Sequence, residues 1–310
     1  MRVSVVVCEH DLERYADCSE AADSVLAQTH DDVELVLVAD GDAAVCAAFR
    51  EDYGDGGEGD HDATVVCLDE NVGLLEARNA GAEAATGDVV AFLDDDAIAA
   101  EDWVERLVAV YEDRDVPAVG GKMVPKWVAG KPAYLPAEFY WLVGVTHRGF
   151  AEGPGEVRNT FGSNISFRRD VFLDLDGFES DIGGRTGGAN LQGGETELCA
   201  RMAEASGHGV FYEPDATVAH KVFDYRTSLG WLLDRAFWQG YSKRGMEVFV
   251  PESTGAESDF LGHLLTESLP RRLRGLVTGP SPTKLLQLVM LFVFTAAVGA
   301  GYGYGYLRWG

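Results

Sequence analysis

Three consecutive aspartates are the residues of this sequence best suited to binding a metal ion. Asp94, Asp95 and Asp96 directly follow the apolar run at residues 89–93, which is typical of a buried strand. Carboxylates gathered at a buried strand end repel one another unless a cation lies among them. Oxygen ligands favour Mg²⁺ or Mn²⁺, which commonly bridge to the phosphates of a substrate. A solvated turn is the alternative, because acidic runs are common in this chain.

Two further polar positions stand where they could contact a ligand. Asp40 follows the apolar run at residues 34–39, so it could accept hydrogen bonds from a base or a ribose, or simply close a turn. Arg78 lies early on a predicted helix that leads into the strand before the aspartates. Its guanidinium could bind a diphosphate oxygen, whereas the alternative is a position on a surface helix.

The elements that must position these residues alternate between two hydrophobic periods. Apolar β-branched runs predict strands, and apolar positions three and four residues apart predict helices. Strand and helix in alternation predict right-handed βαβ units, a mostly parallel sheet and an α/β fold, whose ligands bind beyond the carboxyl ends of the strands. Asp40 and the three aspartates stand at that edge. The predicted strands are residues 3–8, 34–39, 64–68, 88–93 and 118–123, and the predicted helices are residues 19–28, 43–53, 74–85 and 101–111.

The excess of acidic residues is concentrated in the first part of the chain. Residues 1–115 hold 31 acidic and 6 basic residues, and the other residues hold 20 and 19, within a formal net charge of −26. This excess predicts a hydrated surface suited to a salt-rich cytoplasm, including an acidic loop at residues 52–60. It also argues against nucleic acid as a general partner, because phosphate backbones attract basic surfaces.

The five cysteines predict no disulfide scaffold. Their number is odd and no two of them form a Cys-x-x-Cys pair, so a cysteine-based zinc site is also disfavoured. We therefore expect a reduced, cytosolic environment for the bulk of the chain.

The C-terminal part of the chain has a different pattern. Residues 285–307 are 23 residues without a charged side chain, which is long enough to span a membrane as a helix. Four basic residues precede this segment and one follows it, so the N-terminal portion is expected to be cytoplasmic. A buried or interfacial helix is the alternative. The helical pattern from Thr227 onward, with the basic stretch at residues 271–274, indicates either a helix at the membrane interface or one packed on the core.

Several ordered motifs resemble family 2 glycosyltransferases of the GT-A fold, a Rossmann-like mostly parallel sheet flanked by helices. The resemblance covers about residues 3–225 and implies a transferase domain at 1–225, with a nucleotide-sugar-binding half at 1–115 and an acceptor half at 116–225. A juxtamembrane helical region at 226–284 and a transmembrane helix at 285–307 would follow. With its acidity, the chain is most similar to membrane-associated haloarchaeal members that build lipid-linked glycans for surface-protein (S-layer) N-glycosylation. The motifs that carry the resemblance are residues 24–29, 34–40, 71–81, 92–96, 162–169 and 177–178.

The resemblance implies a nucleotide-sugar donor, usually UDP-linked, and inversion at the anomeric carbon. Cys8, Glu9 and His10 correspond to the family's loop that borders the uridine, although the usual residues there are Pro-Thr-Tyr/Phe. Asp40 corresponds to the acid that contacts the base. Arg78 is expected on the donor side.

The three aspartates correspond to the family's DxD motif. The resemblance places Asp94 towards the ribose, Asp95 on the donor side and Asp96 on the metal, which would be Mn²⁺ or Mg²⁺. His220 corresponds to a position that often completes the metal shell, and an ordinary core or surface histidine is the alternative.

The family's general base lies in a Gly-Glu-Asp-x-Glu/Asp-Leu stretch. Residues 193–198 match it with Glu195 where Asp is usual, so the resemblance implies Glu195 as the base and Glu197 as the nearest group to tune it. Asn164 is expected on the acceptor side. A lipid phosphate is already ionised and needs no base, so a carboxylate here favours a sugar hydroxyl as the acceptor.

The expected function is therefore transfer of a sugar, a hexuronic acid or a hexose, from a nucleotide-sugar to a polyprenyl (dolichyl) phosphate-linked glycan. Two alternatives stay open. One is a polyprenyl-phosphate sugar synthase, and the other is a non-catalytic GT-A domain that scaffolds a membrane glycosylation complex. The intact aspartate run argues against the scaffold, which has little need for a metal site.

Overall fold

The computed structural model describes residues 1–54, 62–151, 153–182, 184–186, 189–250 and 256–309. Most of the acidic loop predicted at residues 52–60 lies outside the described residues, so its interpretation as hydrated surface stays a prediction.

The strands and helices predicted over the first 127 residues are present, with boundaries that differ by a few residues, and the short strand Ala97–Ala99 was not predicted. The strands are β1 (Val3–Glu9), β2 (Val33–Ala39), β3 (Ala63–Cys67), β4 (Val89–Leu93), β5 (Ala97–Ala99), β6 (Ala118–Trp127), β7 (Gly155–Val157), β8 (Ile165–Arg168), β9 (Gly184–Thr186), β10 (Ala189–Leu191) and β11 (Val210–Val222). The helices are α1 (Tyr15–Leu26), α2 (Ala43–Asp52), α3 (Leu74–Ala84), α4 (Trp103–Asp113), α5 (Arg169–Asp174), α6 (Gly194–Ser206), α7 (Leu229–Phe249), α8 (Ala256–His263), α9 (Leu269–Thr278) and α10 (Pro282–Trp309).

One mixed sheet organises the part of the chain that carries the predicted site. Its strand order is β3-β2-β1-β4-β8-β6-β11-β5, with β7 added on β11. The strands β3, β2, β1 and β4 are parallel, while β8 runs antiparallel between β4 and β6. The predicted α/β class and mostly parallel GT-A sheet are therefore confirmed.

Both faces of this sheet are buried, which explains the continuous apolar runs of its parallel strands. Successive side chains of a strand point to opposite faces. Val5 and Val7 of β1 thus pack in a core with residues of α1, α2 and α4. Val6 lies in a second core with residues of α3, α5 and α6. The sheet is therefore covered by helices on both sides.

The chain forms two compact units whose boundary differs from the predicted domain end at residue 225. Residues 125–152 and 183–193, expected in the acceptor half, belong to the same unit as the C-terminal helices. Hydrogen bonds within that unit account for the grouping: the N–H of Val128 donates to the carbonyl of Val222, and the N–H of Gln192 donates to Ser242 Oγ. The first unit comprises Met1–Val124, Gly153–Ile182 and Gly194–His220, and the second comprises Pro125–Glu152, Gly183–Gly193 and Lys221–Gly310.

In the second unit, α7 packs along α10. Two glycines allow the close approach: a methyl group on Gly301 would overlap the carbonyl of Phe237, and one on Gly240 would overlap the carbonyl of Val298. The apolar stripe of α7, including Leu232 and Ala236, is buried in a core that also holds Phe294. The sequence left two interpretations of this helix, at the membrane interface or packed on a core. The burial of these residues agrees with packing on a core.

The helix α10 contains the predicted span at residues 285–307. It is 28 residues long, and it is long and apolar enough to cross a membrane. Two of the basic residues that precede it also have contacts inside the fold. Arg271 and Arg272 donate hydrogen bonds to the buried carboxylate of Glu138. The single carboxylate of Glu138 offsets one of these two positive charges, and the Arg271 side chain is 44% exposed.

No disulfide scaffold was predicted from the cysteine pattern, but one pair of cysteines is bonded. Cys46 of α2 and Cys67 of β3 form a disulfide with their Cα atoms 5.6 Å apart. Spacing along the chain gave no sign of this bond, since the fold brings the two residues together across 21 positions. Cys8, Cys18 and Cys199 are free.

Candidate active site

Asp94, Asp96 and His220 form a cluster at the carboxyl end of β4. Each offers one ligand atom, and these atoms all lie within 4.8 Å of one another. The histidine reaches the aspartates through antiparallel pairing of β11 with β5, in which His220 stands opposite Ala97. Its Nε2 lies 3.2 Å from Asp96 Oδ1.

The cluster is crowded with negative charge. Asp96 is buried, and burial together with the charge of Asp96 raises the pKa of Asp95 to about 8. Arg14 offsets part of this charge, because its Nη2 lies 2.7 Å from Asp95 Oδ2 and 3.3 Å from Asp96 Oδ2. Sequence reasoning missed Arg14, which lies on a short 3-10 turn before α1, far from the aspartates along the chain.

The chemistry of this cluster fits a divalent cation. Two carboxylates supply the oxygen ligands that Mg²⁺ and Mn²⁺ prefer, and an imidazole is a ligand for transition metals. A cation among Asp94, Asp96 and His220 would also offset the carboxylate repulsion that raises the pKa of Asp95. The donor set therefore favours Mn²⁺, and Mg²⁺ is compatible with its oxygen ligands.

Arg78 joins this cluster to the predicted base. The guanidinium is buried, and it donates from Nη2 to Asp94 Oδ1 at 2.6 Å and from Nη1 to Glu195 Oε1 at 3.2 Å. Burial lowers the pKa of Arg78, but the charges of Asp94 and Glu195 outweigh burial and raise it. The rings of Phe92 and Phe178 lie 5.8 and 5.7 Å from the guanidinium carbon. Asp94 and Glu195, which were predicted for different roles, thus share the guanidinium of Arg78.

Glu195 lies in the first turn of α6 and stays accessible. Its side chain is 29% exposed, so an acceptor group could reach it. A Cβ on Gly162 would lie 2.6 Å from Arg78 Nη1 and would overlap the Glu195 carboxylate. The glycine at this position therefore leaves room for the pair.

Asp40 holds the loop before α3. Its Oδ1 accepts a hydrogen bond from the N–H of Val72 at 2.8 Å, and its Oδ2 accepts one from Gly73 at 3.1 Å. Gly41 has a positive φ of 78°, and a Cβ there would overlap the backbone of Asn71. The strand end and the loop are therefore in close contact, and Asp40 lies at the predicted edge of the sheet.

The three residues at the end of β1 differ in exposure. The Glu9 side chain turns inward, where its Oε1 accepts hydrogen bonds from the N–H groups of His10 and Asp11. Within the part of the chain that the structure describes, its buried Oε2 has no hydrogen-bond partner. Burial raises the pKa of the Cys8 thiol to about 12. His10 is the most exposed of the three residues predicted to border the donor.

Two residues predicted for the acceptor side have their contacts inside the fold. Asn164 is fully buried; its Oδ1 accepts from Trp103 Nε1, and its Nδ2 donates to the carbonyls of Lys122 and Ala216. Glu197 is bound by Arg201 one turn along α6, at 2.5 and 2.7 Å. A polar residue near a site motif can equally bond within the fold: Asn164 bonds backbone carbonyls, and Glu197 bonds a neighbouring side chain. The group that contacts Glu195 is Arg78 and not Glu197.

Comparison with known proteins agrees with this geometry. Residues 5–176 match the model of the family described as glycosyl transferase family 2. The chain belongs to glycosyl transferase family 2. The resemblance inferred from the sequence motifs is confirmed, and this family 2 chain is a glycosyltransferase.

The family 2 chain has a relative of similar length in Haloferax volcanii. It is 49% identical over 293 residues to a protein named glucosyl-dolichyl phosphate glucuronosyltransferase, covering 94% of this chain and 92% of that protein.

Two solved structures share the fold of this family 2 enzyme. The first is the mannosyltransferase PcManGT of Pyrobaculum calidifontis in complex with GDP-Man and Mn²⁺, with a TM-score of 0.57, 18% identity and coverage of 97% of this chain and 86% of that one. The second is residues 1–349 of S. aureus TarS in complex with UDP-GlcNAc, with a TM-score of 0.54, 16% identity and coverage of 96% and 82%.

Proposed function

We propose that this glycosyltransferase moves a glucuronosyl residue from UDP-glucuronic acid to a glucosyl-dolichyl phosphate, with inversion at the anomeric carbon. The observation that carries the chemistry is Arg78, which contacts both the metal-cluster carboxylate Asp94 and the accessible carboxylate Glu195. The name of the 49% identical relative supports the choice of sugar and acceptor. A hexose remains the alternative donor sugar, as expected from the sequence.

The first step of the reaction is the departure of the nucleoside diphosphate. Asp94, Asp96 and His220 would hold the divalent cation, which supplies Lewis acidity to the developing charge of the leaving group. Arg78 and Arg14 add fixed positive charge beside these carboxylates. Because both guanidiniums are already positioned by ion pairs, little reorganisation is needed as the charge develops.

The second requirement is a base for the attacking hydroxyl. Glu195 accepts the proton of a sugar hydroxyl, and general-base catalysis of this kind contributes roughly 10²–10⁴-fold to the rate. A bare dolichyl phosphate would attack as an anion without this help. An accessible carboxylate at position 195 therefore supports a glucosyl group as the attacking end of the acceptor.

The decisive experiment compares two acceptors and three variants. Membranes with the enzyme, UDP-glucuronic acid and Mn²⁺ are given glucosyl-dolichyl phosphate or dolichyl phosphate. We expect transfer to the glucosylated lipid only, a loss of about 10²-fold or more in Glu195→Gln, and loss in Asp96→Asn. Glu204→Gln is the matched control, because Glu204 is exposed on the same helix α6.

Each contrary result points to a defined alternative. Transfer to bare dolichyl phosphate that survives in Glu195→Gln would indicate a polyprenyl-phosphate sugar synthase. Metal-dependent binding of UDP without transfer to either lipid would indicate a scaffold.

We also propose that α10 anchors the enzyme in the cell membrane with its catalytic unit in the cytoplasm, where it acts in N-glycosylation of surface proteins. The apolar length of α10 and the greater number of basic residues before it than after it support this orientation. Protease added to inside-out vesicles should cleave the catalytic unit, whereas right-side-out vesicles should protect it. Deletion of the gene should remove one hexuronic acid from the surface glycan.

A further inference from the structure

One face of α10 is packed on the second unit along most of the helix. Near its start, Gln287 Nε2 donates to the carbonyl of Ala133 at 2.8 Å. At its end, the ring of Trp309 lies 4.1 Å from the ring of Tyr241 on α7. Between them, three side chains of α10 are buried in a core of the same unit: Met290, Leu291 and Phe294. The packed face therefore extends over residues 287–309, about 34 Å of helix at 1.5 Å per residue.

The C-terminal part of this packed face lies against charged side chains of α7. Tyr302 Oη donates to Glu247 Oε2 at 2.6 Å, and Arg244 Nη1 donates to the same carboxylate at 3.1 Å. The guanidinium carbon of Arg244 also lies 4.1 Å from the centre of the Tyr306 ring. A Cβ on Gly305 would lie 2.9 Å from the Cβ of Arg244. An ion pair is thus in contact with α10.

These contacts conflict with a helix that crosses a bilayer. The hydrocarbon core of a bilayer is about 30 Å thick, which is less than the packed length of α10. A span would therefore carry the Arg244–Glu247 pair and the irregular backbone around Ala133 to membrane depth, where charged side chains and lipid-exposed irregular backbone are costly. Unpacking α10 would instead break its buried contacts with the second unit.

The opposite face of α10, here called the outward face, is apolar and exposed. No charged side chain occurs in residues 285–307. A helix with one face packed on protein and one apolar face suits a membrane interface, where the apolar face enters about 5–10 Å into the boundary between headgroups and acyl chains. The large side chains of the outward face are 37–87% exposed: Leu285, Leu286, Val289, Phe292, Val293 and Leu307.

The charge of the second unit favours an anionic lipid surface as the partner of the outward face. That unit contains 14 Lys and Arg residues against 9 Asp and Glu residues, whereas the first unit contains 11 against 42. Arg274, Lys284 and Arg308, which precede or follow the outward face, are exposed. Anionic lipids attract basic residues near a membrane surface, whereas a second copy of the chain would bring like charge to the same face.

We propose that α10 lies along one leaflet, with its outward face in an anionic lipid surface, and does not cross the membrane. This rests on the proposed anchoring of the enzyme and deepens it. The second unit is then a monotopic anchor, and the C-terminus stays on the same side of the membrane as the catalytic unit. As an isolated helix α10 is long and apolar enough to cross, but the second unit covers one of its faces.

The first experiment determines the side of the membrane on which the C-terminus lies. Arg308→Cys places a thiol at an exposed position near that end, and Glu112→Cys on α4 is the matched exposed control in the first unit. An impermeant maleimide is added to inside-out and right-side-out vesicles, with the parent chain as the background. We expect both thiols to react in inside-out vesicles only.

The labelling pattern separates this proposal from the proposed function. Reaction of the two variants from opposite sides would show a span and overturn the proposal. Reaction of both from the outside only would support a monotopic anchor and refute the cytoplasmic orientation alone. Labelling needs no substrate, so an enzyme that labels as expected but transfers no sugar would refute the proposed reaction alone.

The second experiment tests the outward face. The full chain is transferred from detergent to phosphatidylglycerol vesicles at low salt, and the fraction that floats with the vesicles is measured. Phe292→Glu should lower partition onto the vesicles by about tenfold or more, because it replaces an apolar contact with lipid by a charge. Val128→Glu is the matched control, since Val128 is an exposed apolar residue of the second unit outside α10, and it should partition like the parent. Unfolding temperature in detergent checks that both variants fold.

Three results would contradict the lipid surface as the partner. An equal loss in both variants, or no loss in Phe292→Glu, would refute binding through the outward face. Equal partition onto phosphatidylcholine vesicles would refute the preference for anionic lipid. A dimer in detergent that Phe292→Glu converts to monomers, with partition unchanged, would show that a second copy covers this face instead.

Discussion

The glycines of α10 predict opposite effects of the same substitution at two neighbouring positions. At Gly301 an added methyl group would overlap the carbonyl oxygen of Phe237 on α7 and lie 2.7 Å from its carbonyl carbon. At Gly303 nothing lies within 4 Å of the added carbon. The two positions share one helix, and they differ in whether they face the neighbouring helix.

The magnitudes follow from two known terms. Replacing a mid-helix glycine by alanine stabilises the helix by about 0.5–1 kcal/mol where space allows. Overpacking a close contact costs about 1–3 kcal/mol. Gly303→Ala should therefore stabilise the protein by about 0.5–1 kcal/mol, and Gly301→Ala should destabilise it by about 1–2 kcal/mol after the helix term is subtracted. Because the helix term is common to both, the two variants should differ by the overpacking cost alone, about 1–3 kcal/mol.

The assay is thermal unfolding of the detergent-solubilised chain, followed by tryptophan fluorescence. Gly303→Ala should unfold at or above the temperature of the parent, and Gly301→Ala well below it. Equal unfolding temperatures for the two variants, or the reverse order, would contradict the close packing of α7 on α10.

Three further measurements test other parts of the structure. The double variant Cys46→Ala/Cys67→Ala should lose about 3 kcal/mol of stability, from the entropy of a loop closed across 21 positions, and dithiothreitol should destabilise the parent but not this variant. Glu138→Gln should destabilise the second unit by about 3 kcal/mol, because it leaves two arginines without their carboxylate. Burial opposes ionisation of Glu138, but hydrogen bonding to Arg272 lowers its pKa in the folded state. The stabilisation is therefore present above about pH 4.3, the pKa of an unfolded glutamate, and it is lost as pH falls through the lower pKa of the folded state. The stabilities of parent and variant should converge in acid. Unfolding temperature should rise from low to molar KCl because salt screens the acidic first part, and an unchanged temperature would count against a salt-adapted chain.

The sequence was most informative where local pattern and fold agree. In β1, β2 and β4 both sheet faces are buried, so β-branched runs mark the strands and the following aspartates mark their carboxyl ends. The strands β5 and β7 to β11 were not predicted. All but β11 are only three or four residues long, and all but β9 and β10, which pair with each other, are defined by pairing with distant segments. Strand β8, for example, depends on β4 and β6 on either side.

The candidate site shows the same limit. Asp94 and Asp96 could be assigned from their position after a strand. His220 reaches them only through the register of β11 against β5, so family resemblance was the available signal. The contacts of Arg14 with the aspartates and those of Arg78 with Asp94 and Glu195 join residues distant along the chain. No spacing in the sequence predicts them. The role of Asn164 on the acceptor side stays a prediction, since an amide can serve a ligand or the backbone equally well, and the sequence did not reveal that this one is buried and hydrogen-bonded within the fold.

The redox state of the Cys46–Cys67 disulfide can indicate on which side of the membrane this part of the chain lies. The two cysteines belong to the unit that carries the cluster of Asp94, Asp96 and His220, and most cytoplasms keep such thiols reduced. Alkylation of intact cells followed by mass spectrometry would measure the oxidised fraction of this pair. A mainly reduced pair would mean that the catalytic unit shares the cell's reducing pool, and a mainly oxidised pair would mean that it faces the outside or that the fold protects the bond from reductants. The same bond read in right-side-out and inside-out vesicles, with an impermeant reductant, separates those two cases without any added tag.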